Sequence, residues 1–386
     1  MKFYCFHFLP YLHLEDMKRR DDYRSAWINF PNDYFEGEKC AALYERYLDE
    51  LELADVMGLD GVCVNEHHNT PHSLMPSPNL IAAALTQRVR KGKILVLGRA
   101  LPLAANPLSI AEEFAMLDNM SRGRLITGFV RGIGAEYHVS GVNPAESHGR
   151  FREAHDLILA AWTKTGPFPF KGKYYDFPYV NLMPRPFQNP HPPVWLPSTG
   201  SKETVEWAVH PDRQYTYLQF FGPYAVVRKN LLSYKEAAAK HEYVPEPDKL
   251  GWSVPTYVAE TDAIAIREAR PHIEAFFNKF TALTPEMLLP PGYTSAESMA
   301  AMMRDKGKAL AGPANHTIEN LMAAGVIMVG SAATVREKIE QAHAEIGHGH
   351  HIGMLHFGTM PGDLTRKNIE LFAREVAAPL RASLKG

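Results

Sequence analysis

Apolar positions along the chain alternate between short continuous runs and stripes of helical spacing. Residues 3–9 form an aromatic run of strand character. Over 39–57 the positions Tyr44, Tyr47, Leu48, Leu51 and Ala54 keep a helical period, and Gly58 stands where a helix can end in the left-handed region. Residues 59–64 predict a buried strand, 79–88 a helix and 94–101 a further strand. Asn106 followed by Pro107 predicts an N-cap with proline at the first helical position. The helix after it carries Ile110, Phe114 and Leu117 on one face and runs into Ser121-Arg122-Gly123-Arg124, which puts cations at the negative end of its dipole. Strands at 125–130, 194–197, 215–220, 253–259 and 352–357 continue the pattern.

Eight strand-helix units result, and single strands separated by helices imply a parallel sheet. With no break in composition between the halves, the expected fold is α/β: a closed (β/α)8 TIM barrel forming one domain over residues 1–386. A doubly wound sheet is the alternative, but no G-x-G-x-x-G opens a helix after the first strand. Two segments break the repeat and are read as insertions over the barrel mouth. The first, about 13–38, carries Trp27, Phe30, Tyr34 and Phe35. The second, about 277–324, holds Pro290-Pro291-Gly292 and a methionine-rich helix around Met299, Met302 and Met303. Both are candidate lids, with plain surface padding an equal alternative for the second.

Composition narrows the function classes. Of 386 residues 46% are hydrophobic, and 41 Lys+Arg against 43 Asp+Glu leave a net charge of −2, so no basic field exists to gather nucleic acid or anionic lipid. The three cysteines, Cys5, Cys40 and Cys63, lack CxxC spacing, and the N-terminus has no signal-peptide pattern; both predict a cytoplasmic protein. No 18 apolar residues run together, so no membrane span is expected.

In such a barrel the reactive groups follow the strands at their C-terminal ends. After the second predicted strand come Asn65-Glu66-His67-His68, after the third Arg99, after the fourth Arg131-Gly132, and after the fifth Ser198-Thr199-Gly200-Ser201. Arg131, Arg150 and the helix start at Gly200-Ser201, with Thr204 one turn in, suit a phosphate, which takes guanidinium forks and free N–H groups. The competing reading has Ser201 capping its own helix while the arginines pair with Glu136 or Glu153. His67 is the candidate catalytic residue, for acid-base chemistry rather than metal ligation, because adjacent strand-end side chains point apart and no metal-ligand spacing is present. The cluster His348-Gly349-His350-His351 precedes the eighth strand and is read as a solvated loop.

These residues resemble the bacterial luciferase-like family of flavin-dependent monooxygenases. The resemblance runs from Gly58-Leu59-Asp60-Gly61-Val62 and Asn65-Glu66-His67-His68, through Asn106-Pro107, Ala111-Glu112-Glu113, Leu117-Asp118, Ser121-Arg122-Gly123-Arg124-Leu125 and Arg131-Gly132. It resumes at Val329-Gly330-Ser331, Thr334-Val335 and Lys338-Ile339. It implies a barrel that uses reduced FMN and O₂. His67 then matches the family's active-site histidine, Arg131, Arg150, Ser201 and Thr204 match residues that hold the FMN phosphate, and Gly98-Arg99 falls where the family often has a non-proline cis peptide against the flavin ring. The luminescent, alkanal-oxidising members carry a cysteine just before the Arg-Gly pair, where this chain has Val130.

The implied chemistry is a two-component reaction. A separate reductase supplies FMNH₂, which reacts with O₂ to a flavin C4a-peroxide that oxygenates a small, mostly apolar or aromatic molecule. The resemblance also implies a homodimer paired through early helices. Three alternatives stay open: an F420- or FMN-dependent oxidoreductase without oxygenation, a metal-dependent hydrolase built on His67, His7 and Asp60 or Glu66, and a non-catalytic flavin-binding homologue.

Overall fold

A computed structural model describes residues 1–14, 25–198, 200–295 and 316–384. In chain order its strands are β1 (Lys2–Phe6), β2 (Gly61–Val64), β3 (Lys93–Ala100), β4 (Leu125–Val130), β5 (Phe168–Lys171), β6 (Asp176–Val180), β7 (Val194–Ser198), β8 (Thr216–Gln219), β9 (Leu250–Ala259), β10 (Met328–Ser331) and β11 (His350–Met354). The helices that matter below are α1 (Gly37–Val56), α2 (Pro78–Arg88), α3 (Pro107–Met120), α4 (Gly134–Ser140), α5 (Ser147–Thr163) and α6 (Lys202–Ala208).

Eight strands, β1-β2-β3-β4-β7-β8-β9-β11, form a closed parallel ring with helices outside, which is the expected (β/α)8 barrel. The ring closes at β9, whose first residues pair with β8 and β11 while its last four, from Thr256 on, pair with β10. All ten residues of β9 are buried, the pattern of a strand dry on both faces. Two features escaped the hydrophobic pattern. The β5/β6 hairpin is half exposed and carries Pro169 and Pro178, so its sequence reads as loop. β10 is four residues long and borrows its pairing from β9.

Local signals act as expected at α3. The Asn106 carboxamide oxygen accepts from the N–H of Leu108 at 3.0 Å and of Ser109 at 3.3 Å, with Pro107 opening the helix. Arg124 donates back to Ser121 O at 2.9 Å and across to Val89 O at 2.7 Å, tying the ends of α3 and α2 together.

The histidine cluster corrects the sequence reading. His348, His350 and His351 are buried, because β11 starts at His350, earlier than predicted, and is wedged between β9 and β1. His350 faces the barrel axis, where Tyr4 Oη lies 3.1 Å from its Nδ1 and Trp195 packs at 4.5 Å between ring centres. Together they plug the N-terminal end of the lumen. The methionine-rich part of the second insertion, around Met299, Met302 and Met303, lies outside the described residues, as do residues 15–24. No helix among the described residues is long and apolar enough to cross a membrane.

Burial sets a pH limit on this fold. It lowers the imidazole of His351 from 6.5 to about 3 and that of His350 to about 4. Between those values and the unfolded value the unfolded chain binds more protons, so their contribution to stability is complete above about pH 6.5 and drains as pH falls through that window. The melting temperature should therefore drop steadily from pH 6.5 to pH 4, and His351→Leu should flatten the drop by about one proton's worth of slope. Melting curves across that range check it.

Candidate active site

The C-terminal strand ends open into a cavity of about 350 Å³. Its wall along β3, β4 and β7 is apolar, built from Leu97, Gly98, Phe129, Leu196 and Pro197. The approach of β3 to β4 here requires glycine on both strands. A Cβ on Gly98 would stand 2.6 Å from Gly128 O, and one on Gly128 would stand 2.4 Å from Val96 O. The register shifts between Val96 and Arg99, and the Leu97–Gly98 peptide is cis, one bond before the position the resemblance gave.

One group of lining residues is cationic and hydroxylic. Arg131 follows β4, and Ser201 and Thr204 begin α6 with their hydroxyls 2.6 Å apart. Ser201 also caps α6, accepting from Thr204 N–H at 3.2 Å, so the capping and lining readings hold together. His148 and Arg152 on α5 line the same end, together with one carboxylate, Glu203 on α6. Burial, then the charge of Arg131, lowers His148 to about 4 and keeps it neutral. Arg131 donates to Ser147 Oγ at 3.2 Å and to Tyr293 O at 3.0 Å, with the Tyr293 ring 4.3 Å from its guanidinium carbon.

A second group is aromatic. Trp27, from the first insertion, stacks on His72 at 4.1 Å, and Phe8 packs at 4.8 Å from His72 and 6.5 Å from Phe221. His67 stands against this cluster, 4.9 Å from Trp27 and 5.1 Å from His72 between ring centres. Its Nδ1 is 2.8 Å from Glu136 Oε1 on α4. Burial, reinforced by His67, holds His72 well below its ordinary value and therefore neutral. The two insertions touch each other, where Ser25 Oγ donates to Ala282 O at 2.6 Å and Ala26 N–H to Lys279 O at 3.0 Å.

The structure brings His67, Gly98, Arg131, Ser201 and Thr204 to one cavity; Arg99, Arg150 and Gly200 do not line it. Arg99 lines a separate cavity of about 210 Å³ with His68, and both bond Glu66, at 2.6 and 2.8 Å. Burial alone would raise Glu66, but the bond from His68, the charge of Arg99 and the N–H of Ala100 outweigh it and hold the carboxyl below its usual range. Arg150 pairs with Glu146 at 2.8 Å and faces the Tyr174 ring. Glu153 accepts the N–H groups of 173–175, and Gly200 N–H turns back to Ser198 Oγ at 3.1 Å.

Helical geometry explains why Arg152, and not Arg150, lines the cavity. His148 and Arg152 are four residues apart on one face of α5, whereas Arg150 lies about 200° round the axis from each. That signal was readable once 147–163 was recognised as a helix. His72, in the loop after β2, had no such signal. Of Trp27, Phe30, Tyr34 and Phe35 in the first insertion, Trp27 alone lines the cavity. The ligands of the hydrolase alternative are dispersed: His7 bonds Glu50 at 3.0 Å, and Asp60 pairs with Arg381 at the opposite end of the barrel. Among the described residues no three metal-binding side chains cluster.

The family profile described as luciferase-like monooxygenase matches residues 35–349. The chain belongs to the luciferase-like monooxygenases. This family member is accordingly an oxidoreductase. It is similar to an uncharacterized protein, y4wF, of Sinorhizobium fredii, 28% identical over 329 residues, covering 83% of this chain and 88% of that one. It is also similar to the oxygenase component of a flavin-dependent trigonelline monooxygenase from Acinetobacter baylyi, 28% identical over 246 residues, 62% of this chain and 66% of that one. In fold it resembles the oxygenating constituent of 3,6-diketocamphane monooxygenase from Pseudomonas putida, solved in complex with FMN, with a TM-score of 0.71 over 98% of each chain at 21% identity.

The close packing of β3 on β4 gives a direct test of the mouth. Gly98→Ala should cost about 1–3 kcal/mol, since the displaced atom is backbone and cannot rotate away. Denaturant titration of the variant measures it, and an unchanged midpoint would refute the contact.

Proposed function

We propose that this chain is the oxygenase component of a two-component, FMN-dependent monooxygenase acting on a small, mostly apolar or aromatic organic substrate. The observation that carries the reading is one cavity joining a cationic, hydroxyl-lined group (Arg131, Ser201, Thr204) to an aromatic one (Phe8, Trp27, His72), with His67 standing against the aromatic cluster. The donor set fits reduced FMN. Arg131, Arg152 and the two hydroxyls suit its phosphate, and Leu97, Gly98, Phe129 and Leu196 offer a flat apolar wall for its ring. When bound, reduced FMN supplies the electrons that activate O₂. The protein's part is to orient it, to exclude water with the two insertions, and to hold or move a proton at the His67 imidazole. A flavin reductase is the implied partner, since the sequence has no dinucleotide fingerprint. Val130 in place of the luminescent members' cysteine argues for oxygenation other than the light-emitting aldehyde reaction. The buried, free cysteines suit a reducing cytoplasm.

The discriminating experiment is anaerobic titration with FMNH₂ and, in parallel, reduced F420, followed by O₂ uptake with a panel of aromatic compounds. Tight FMNH₂ binding with O₂ use coupled to an oxygenated product is expected; F420 preference or peroxide as the sole product would overturn the reading. Arg131→Ala should weaken FMNH₂ binding about ten- to a hundredfold, the worth of a charge-assisted contact of about 1.5–3 kcal/mol. Arg152→Ala should weaken it less, and Arg150→Ala should leave it near wild type.

We also propose a homodimer. Leu80 on α2 is 72% exposed, Met116 on α3 50%, and Phe187, in the segment held to α3 by the 2.7 Å bond from Asn119 to Arg185 O, 60%. Light scattering should give twice the chain mass, and Met116→Glu with Leu80→Glu should halve it; an unchanged mass would move the interface elsewhere.

A further inference from the structure

We propose that Glu136 is a positioning residue that fixes His67 with its Nδ1–H toward the carboxylate and its Nε2 free to exchange a proton in the cavity. The inference rests on the oxygenase reading of this site.

The pairing is geometric. Glu136 Oε1 lies 2.8 Å from His67 Nδ1, and Glu136 is 3% exposed against 13% for the His67 side chain. An ionised carboxylate can only accept, so the shared proton sits on Nδ1, and the proton that comes and goes is at Nε2. Glu136 Oε2 is buried and has no hydrogen-bond partner among the described residues, so the carboxylate is committed through a single oxygen to a single ring. A buried carboxylate satisfied only in this way holds its one partner in place and favours the imidazolium when it forms.

Glu136 is itself held. It sits in the first turn of α4, whose Gly134 packs so closely on Pro290 and Met287 of the second insertion that a Cβ would collide with both. Tyr137, the next residue, donates its hydroxyl to Arg131 O, and Tyr293 donates to Gly132 O. The start of α4 is thereby clamped to the strand end before it.

The remaining ionisable groups near His67 are accounted for. His72 faces it at 5.1 Å between ring centres and is neutral. Glu66 and His68, its chain neighbours, bond each other, and Glu66 also bonds Arg99. The other rings packed on it among the described residues, Phe8 and Trp27, carry no charge. Glu136 is thus the sole carboxylate bonded to this ring among the described residues, and a change in its charge should be read directly in His67.

The test uses full-length protein labelled with ¹⁵N-histidine, the His67 signals assigned by their loss in His67→Gln. Without flavin, wild type should show the Nδ1–H tautomer at high pH. Glu136→Gln, which keeps the shape, should mix the tautomers. The wild-type spectrum is informative even if the variant folds poorly. With FMNH₂ bound, mixing with O₂ should release H₂O₂ about tenfold faster from Glu136→Gln, and Glu136→Gln should add nothing in the His67→Gln background. A wild-type Nε2–H tautomer, an unchanged tautomer in Glu136→Gln, or fully additive variants would overturn the proposal. Failure of wild type to bind FMNH₂ would overturn the oxygenase reading instead, while the ring tautomer would still decide the pairing.

Discussion

Everything at the mouth depends on the closure of eight parallel strands at β9. That strand pairs with β8, β11 and β10 along its length, and none of its ten residues reaches solvent. A closed parallel ring leaves no exposed edge, but its lumen must then be filled. Tyr4, Trp195 and His350 fill it at the N-terminal end, where His350 also bonds Asp248 O at 2.9 Å. Nothing equivalent is needed at the other end, where the strands diverge into loops. The cavity is therefore the unfilled half of one lumen, and the side chains that border it are those the strand ends deliver.

How much of this was legible in the sequence depended on which physical signal each residue left. The barrel strands and α1 to α3 were readable because burial imposes runs and stripes, and capping imposes Asn106-Pro107. His67 and Arg131 were readable because they directly follow strands. Arg99 was expected after a strand but lies within β3, where the register shifts between Val96 and Arg99, and its side chain pairs with Glu66. His350 and His351 misled because a run of polar rings resembles a loop until the strands on either side are known. His72 and Glu136 reach the cavity through tertiary packing alone, and no periodicity marks them.

Charges in the mouth are kept apart by short, specific pairings. Glu66, which borders both cavities, is spent on Arg99 and His68, Glu153 on the backbone of 173–175, and Glu146 on Arg150. Arg131 hydrogen-bonds Ser147 and the Tyr293 carbonyl at an end of the cavity that Glu203 also lines, and the aromatic group has His67–Glu136 beside it. In a low-dielectric cavity such separation matters, because an uncompensated neighbour acts at several ångströms with little screening.

Arg131 joins the cavity to its cover. One Nη1 donates to Ser147 at the start of α5 and to the main chain of the second insertion at Tyr293, whose ring lies against the guanidinium and whose hydroxyl reaches back to Gly132 O. The insertion is thus fastened to the strand end that also lines the cationic group. Leu283 and Leu288 from the same insertion complete the cavity wall, so their position is set through that fastening. Tyr293 therefore contacts Arg131 through its carbonyl and ring and Gly132 through its hydroxyl, and it borders the same cavity as Leu283 and Leu288.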